Sequence, residues 1–183
     1  MPLEKEITTV PELVDALNKK TPHEGVLDVL KMVNIPNSEY ERYYKWNCDH
    51  YTRIGLAKTE KFELLITCWE KGQVSPVHNY DSKEAFIHII HGQLREEKFM
   101  RSTVDNHLEK VSSITLGKRD YSYLGGAIGT HRYINAYENR TVAIHLFIPP
   151  FGKWTEYDLN TGEEKDHIVE YDAFYAIDKV INV

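Results

Sequence analysis

The chain is 183 residues long, 42% hydrophobic and 27% charged, with a formal net charge of -6. That balance is typical of an ordinary globular domain, and the length is sufficient to bury a sizeable core. No basic block favours nucleic acid or an anionic membrane surface, and no apolar run approaches the roughly 20 residues that cross a bilayer. Met1-Pro-Leu-Glu-Lys-Glu6 carries neither a secretory core nor an Arg-rich transit pattern. The two cysteines, Cys48 and Cys68, give no disulfide framework, so a reducing, cytoplasmic setting is expected.

A helical segment is expected over about residues 9–47. Thr9 is a cap, with Pro11 in the first turn and Leu13, Val14 and Leu17 forming an apolar stripe. Val26, Leu27, Val29, Leu30 and Val33 repeat that spacing until Ile35-Pro36 breaks it. Ser38 followed by Glu41 reads as a capping box that opens a third helix running to Trp46. From about Tyr51 the texture changes to strands. Runs at 62–69, 86–91, 94–99, 108–116, 121–124, 131–137 and 141–148 are rich in β-formers and separated by turn residues. Pro149-Pro150 closes the last of them, Asp158 to Gly162 is a turn, and 168–171 is a further strand. The pattern predicts a mainly β protein: one domain, a barrel over about 50–172 with the helices packed on one side.

Two segments carry the chemistry. Gly72 stands six residues before His78 in Gly72-Gln-Val-Ser-Pro-Val-His78-Asn79-Tyr80, and His131 stands four before Asn135. Alternate residues on a strand share a face, so His78 and Tyr80 point the same way, with His131 brought in from another strand. The two-part spacing resembles the metal signature of cupin barrels. A glutamate is expected shortly after the second ligand in that pattern, and Glu84 stands four residues past Tyr80. His78, Glu84 and His131 would then form a two-His-one-carboxylate face, although counting back from Gly92 turns Ala85 inward instead. His88 and His91 face opposite ways and read as structural; His23, His50, His107 and His167 follow no pattern.

From about Glu39 to Gly162 the chain resembles cysteine dioxygenase, a non-haem iron cupin. The match runs through Tyr51-Thr52-Arg53, the strand ending in Cys68-Trp69, and Ile128-Gly129-Thr130-His131-Arg132 with Asn135. It continues through His145-Leu146 and Pro149-Pro150-Phe151 to Tyr157-Asp158 and Thr161-Gly162. The resemblance implies a double-stranded β-helix (jelly-roll) barrel holding Fe(2+). It further implies oxidation of a small thiol, L-cysteine, to its sulfinic acid by O2. By the same resemblance His78, Tyr80 and His131 take the metal positions, Arg53 and Tyr51 bind substrate, and His145 is the catalytic residue beside the site. An arginine suits a carboxylate because its guanidinium donates two parallel charge-assisted hydrogen bonds.

The departures are as specific as the matches. Where the family has His-x-His, this chain has His78-Asn79-Tyr80. The Cys and Tyr that form a covalent link beside the iron in many members fall on Ala85 and Phe147, and a serine that positions the inner histidine falls on Ala143. His145 is therefore expected to lack hydroxyl partners on both sides. A tyrosinate is a hard anionic donor that stabilises Fe(III) over Fe(II), so Tyr80 is expected to slow turnover or change the metal. Three readings follow: a cysteine-dioxygenase-like enzyme, a non-catalytic cupin that senses or carries a small carboxylate or thiol, and an oxygenase of other substrate built on Glu84.

Overall fold

A computed structural model describes residues 6–20, 25–104, 107–125 and 129–177 of the chain. His23, Gly126 and Ile128 lie outside the described residues. Three helices come first: α1 (Val10–Lys19), α2 (Val26–Met32) and α3 (Asn37–Glu41). The strands β1 (Thr52–Lys58), β2 (Glu63–Trp69), β3 (Val77–Tyr80), β4 (Glu84–His91), β5 (Gln93–Arg101) and β6 (Leu108–Gly117) follow. The chain continues through β7 (Tyr121–Gly125), β8 (His131–Ile134), β9 (Thr141–Ile148), β10 (Lys153–Tyr157), β11 (Glu164–Ile168) and β12 (Ala173–Phe174).

The strands form two six-stranded sheets, ordered β12-β1-β2-β9-β4-β7 and β11-β10-β3-β8-β5-β6. Every pairing is antiparallel except β1 with β12. This is the barrel expected from the spacing of strands and turns, in the jelly-roll form that the family resemblance implies. Its two sheets are unlike because the helices cover only the first. On β2, Leu64, Ile66 and Cys68 pack in one cluster with Val10, Leu13, Val14 and Leu17 of α1, whereas Leu65 and Trp69 belong to the barrel interior. β9 repeats the division, with Val142, Ile144 and Leu146 toward the helices and Ala143 and Phe147 inside. A strand buried on both faces has no polar alternation, and both strands are buried at every position.

The helical region departs from expectation in its third element. Thr9 does cap α1: its hydroxyl accepts from Glu12 N and its own N–H donates to the Glu12 carboxylate, a reciprocal box. α3, however, begins after Pro36 and ends at Glu41, well short of Trp46. Ser38 lies inside it and caps nothing, because the Glu41 carboxylate is taken by Asn37 Nδ2 at 2.7 Å. Beyond the helix, Tyr43 is buried and Tyr44 and Trp46 pack partly buried against the helix-side core. The final strands differ as well. β11 spans Glu164–Ile168, and Tyr171 lies between it and β12. Its exposed, charged residues at the sheet edge have little apolar pattern to reveal them.

Gly92 links β4 to β5 and carries the chain from one sheet to the other. Its φ is +78°, and an added Cβ would lie 2.4 Å from Thr141 Oγ1 and 2.5 Å from the Arg140 carbonyl oxygen. Gly92→Ala therefore meets both a left-handed backbone and a backbone clash, and should destabilise the protein by at least about 2 kcal/mol. Urea unfolding measures this; an unchanged midpoint would show that the crossover does not need glycine.

Candidate metal and substrate site

The two motif segments are sewn together by main-chain bonds. Gly72 N donates to Asn135 O at 2.8 Å, Asn135 N to Gln73 O at 2.9 Å, and Ser75 N to Tyr133 O at 2.9 Å. The Asn135 amide, fully buried, donates to Trp69 O and Asn139 O and so ties the end of β8 to β2. This zipper sets His78 of β3 directly opposite His131 of β8. Alternation on β3 turns His78 and Tyr80 inward, while Asn79 between them bonds the Tyr157 hydroxyl on the outer face.

The imidazoles of His78 and His131 lie with ring centroids 4.4 Å apart, and the Tyr80 ring is 4.8 Å from the first and 5.4 Å from the second. Each histidine is held by its Nδ1: His78 bonds Pro76 O at 2.8 Å and His131 bonds Gly129 O at 2.6 Å. A carbonyl only accepts, so both Nδ1 atoms carry the proton and both Nε2 atoms present lone pairs. His78 Nε2 accepts from the Tyr80 hydroxyl at 2.7 Å. His131 Nε2 is buried with no partner.

An orphaned buried acceptor beside a second imidazole and a phenol is an arrangement that suits a metal cation, with the outer nitrogens anchored as ligating histidines usually are. Among the described residues no cluster of three His, Cys, Asp or Glu side chains could hold a metal ion. The third donor available is therefore the phenol oxygen of Tyr80. Glu84 is not available: it accepts from the Tyr123 hydroxyl at 2.8 Å and lies in the outer groove with Phe86 and Tyr121. The inward position belongs to Ala85, which is buried and stands opposite Phe147. The oxygenase built on Glu84 thus has no support in the geometry.

Charge states follow from burial. Desolvation holds His78 well below its ordinary value of 6.5, assisted by the neighbouring His131. Burial likewise lowers His131 to about 4. The Tyr80 phenol is pushed up, chiefly by desolvation, with the Arg53 charge opposing. In metal-free protein the donors are two neutral imidazoles and a neutral phenol.

The opposite sheet supplies the other half of the site. Tyr51, Arg53, Thr67, Trp69, His145 and Phe147 line one small cavity together with His78 and Tyr80. Tyr51 stacks on Trp69 with centroids 4.0 Å apart. The Arg53 guanidinium lies 5.4 Å from the centre of the Phe151 ring and pairs with no carboxylate among the described residues. That cavity measures about 10 Å³, room for about one water. Tyr51 and Arg53 also border an outer pocket of about 370 Å³ with His50, Trp154, His167 and Tyr171, so they form the wall between solvent and the interior.

A sequence model of the cysteine dioxygenase type I family matches residues 6–160. The chain belongs to that family. It is 29% identical over 157 residues to cysteine dioxygenase type 1 of Rattus norvegicus, an alignment covering 84% of this chain and 78% of the relative. The Homo sapiens protein of the same name is 27% identical over the same shares, and that of Danio rerio 25% over 76% of this chain and 71% of the relative. A crystal structure of a Thermus thermophilus protein superposes with a TM-score of 0.50 at 13% identity, covering 60% of this chain and 93% of that one, which shows a shared fold alone.

Two features of this family member were not expected from its sequence. His145 does have a hydroxyl partner: Thr67 Oγ1 lies 2.9 Å from its Nε2, and Trp69 Nε1 donates to the same oxygen at 2.9 Å. The signal lies in the alternation Leu65-Thr67-Trp69 on a strand neighbouring that of His145. The positions of the family's covalent link, Ala85 and Phe147, are paired across β4 and β9, so only their chemistry is lost, not their juxtaposition.

The buried rings make an acid test. His78, His131 and His145 fold neutral with lowered values, whereas in the unfolded chain they titrate near 6.5. Their contribution to stability is complete above about pH 6.5 and is lost as pH falls toward the folded values. Between pH 6 and 4.5 metal-free protein should lose about 1.4 kcal/mol per pH unit for each such ring. Urea midpoints across that interval check this; constant stability would contradict burial of neutral imidazoles.

Proposed function

We propose that the chain binds Fe(II) through His78, His131 and Tyr80 and oxidises L-cysteine to cysteine sulfinic acid with O2. The reading rests on family membership, and one observation carries it. One anchored imidazole, His78, shares a cavity walled by opposite sheets with an unpaired guanidinium, and the second anchored imidazole, His131, lies 4.4 Å behind the first with its Nε2 unpaired. The overall change is R–SH + O2 → R–SO2H: both oxygen atoms join sulfur, which loses four electrons to them.

Iron held by His78, His131 and Tyr80 would supply Lewis acidity and redox capacity for the reaction of a thiol with dioxygen. The protein does the rest. Arg53, bordering both the outer pocket and the cavity, grips the carboxylate of the entering amino acid through paired hydrogen bonds. Tyr51, held flat against Trp69, fixes that end of the substrate. Phe147 and Phe151 pack around Tyr80, with centroids 4.7 Å away in each case, and exclude water from the reacting sulfur. His145 stays neutral, since burial and the Arg53 charge lower it to about 3, and it donates an N–H rather than transferring a proton.

Tyr80 gives the site its own character. Its hydroxyl occupies the His78 lone pair, so cation binding must break that bond and release the phenol proton. The ring must also shift, because the cavity as it stands holds no amino acid. The same closure favours a second reading, a cupin that binds iron or a small carboxylate without turnover. A reducing cytoplasmic location is consistent with the free Cys48 and Cys68, and among the described residues no helix is long and apolar enough to cross a membrane.

Oxygen uptake by iron-loaded protein separates the two. Cysteine-dependent uptake with stoichiometric sulfinate is expected, faster and with tighter Fe(II) binding in Tyr80→His; binding of cysteine without uptake would favour the carrier. Arg53→Ala should weaken apparent affinity for L-cysteine about 30-fold while leaving cysteamine, which lacks the carboxylate, little changed. Equal losses for both thiols would remove Arg53 from the substrate.

A further inference from the structure

His145 faces Leu65 across the β2–β9 ladder, and Thr67 faces Ala143, the position at which the family resemblance expects a serine. A hydroxyl has therefore moved one strand sideways and still reaches the same imidazole. The Trp69 indole only donates, so Thr67 Oγ1 accepts at 2.9 Å from Trp69 Nε1 and keeps its own proton to give. The partner placed to take it is His145 Nε2, also at 2.9 Å. With Nε2 accepting, a neutral ring must carry its hydrogen on Nδ1. His145 Nδ1 is buried and has no hydrogen-bond partner, and the ring lines the cavity shared with Arg53, Tyr51 and Tyr80. A buried N–H left unpaired is a cost that folded proteins bear where a ligand supplies the missing acceptor.

We infer that Thr67 is a positioning residue: oriented by Trp69, it locks His145 as the Nδ1–H tautomer and so aims an imidazole donor at an anionic ligand beside Arg53. The relay Trp69 → Thr67 → His145 replaces the absent serine at 143. The identity of the ligand as a thiol amino acid rests on the function proposed above; the tautomer does not.

The test reads the ring directly. Metal-free, full-length protein labelled with ¹⁵N-histidine reports by NMR which ring nitrogen is protonated, and comparison with His145→Asn assigns the signals. Wild type and Thr67→Ser are expected to show Nδ1–H and an accepting Nε2. Thr67→Val should shift His145 toward Nε2–H, and adding Ala143→Ser to it should return the Nδ1–H form from the neighbouring strand. An Nε2–H tautomer in wild type, or one unchanged by Thr67→Val, overturns the assignment. Wild type decides even if a variant does not fold. No iron or thiol enters the experiment, so it holds or fails separately from oxygenase activity.

Discussion

The centre of this molecule depends on two short hydrogen bonds from imidazole to main chain. His78 Nδ1 is tied to Pro76 O and His131 Nδ1 to Gly129 O, each to a carbonyl two residues back in its own segment. These bonds fix which nitrogen carries the hydrogen and turn both Nε2 lone pairs into the barrel, that of His78 toward the Tyr80 hydroxyl and that of His131 unpaired. Neither would converge without the Gly72–Asn135 zipper that sets β3 and β8 in register. Backbone geometry thus prearranges the two rings, and desolvation keeps them neutral, as the proposed metal binding requires.

The other sheet contributes because it is buried twice. With helices on one face of β2 and β9, their opposite residues are held against the barrel interior with little freedom, and Thr67, His145 and Phe147 share that environment. This rigidity lets a relay be rebuilt from a different strand. The phenol has shifted similarly: the family resemblance expects a tyrosine at 147, where this chain has phenylalanine, while a phenol stands at 80 with its ring packed edge-on to Phe147. Against the family pattern this chain has one imidazole fewer, at position 80, keeps the guanidinium of Arg53, and carries its hydroxyl groups at other backbone positions.

How much of this can be read from residues alone follows the strength of local rules. The inward pairing of His78 with Tyr80 needs only strand alternation, and the outward turn of Glu84 follows from counting back from Gly92. The doubly buried β2 shows itself as an unbroken apolar run. The start of α3 is not legible because Asn37, not Ser38, engages Glu41, a competition between two adjacent polar side chains that spacing cannot resolve. β11 escapes because an exposed edge strand needs no hydrophobic period. Thr67 is hidden because its partner lies 78 positions away and becomes a neighbour only through the β2–β9 register.

The convergence of His78 and His131 on one cation is the claim from which the rest follows, and anaerobic Fe(II) titration measures it most directly. One ion per chain is predicted, with His78→Ala and His131→Ala each weakening binding by more than about 100-fold, the upper range seen on losing an outer-shell partner. Full occupancy retained by either variant would contradict the account.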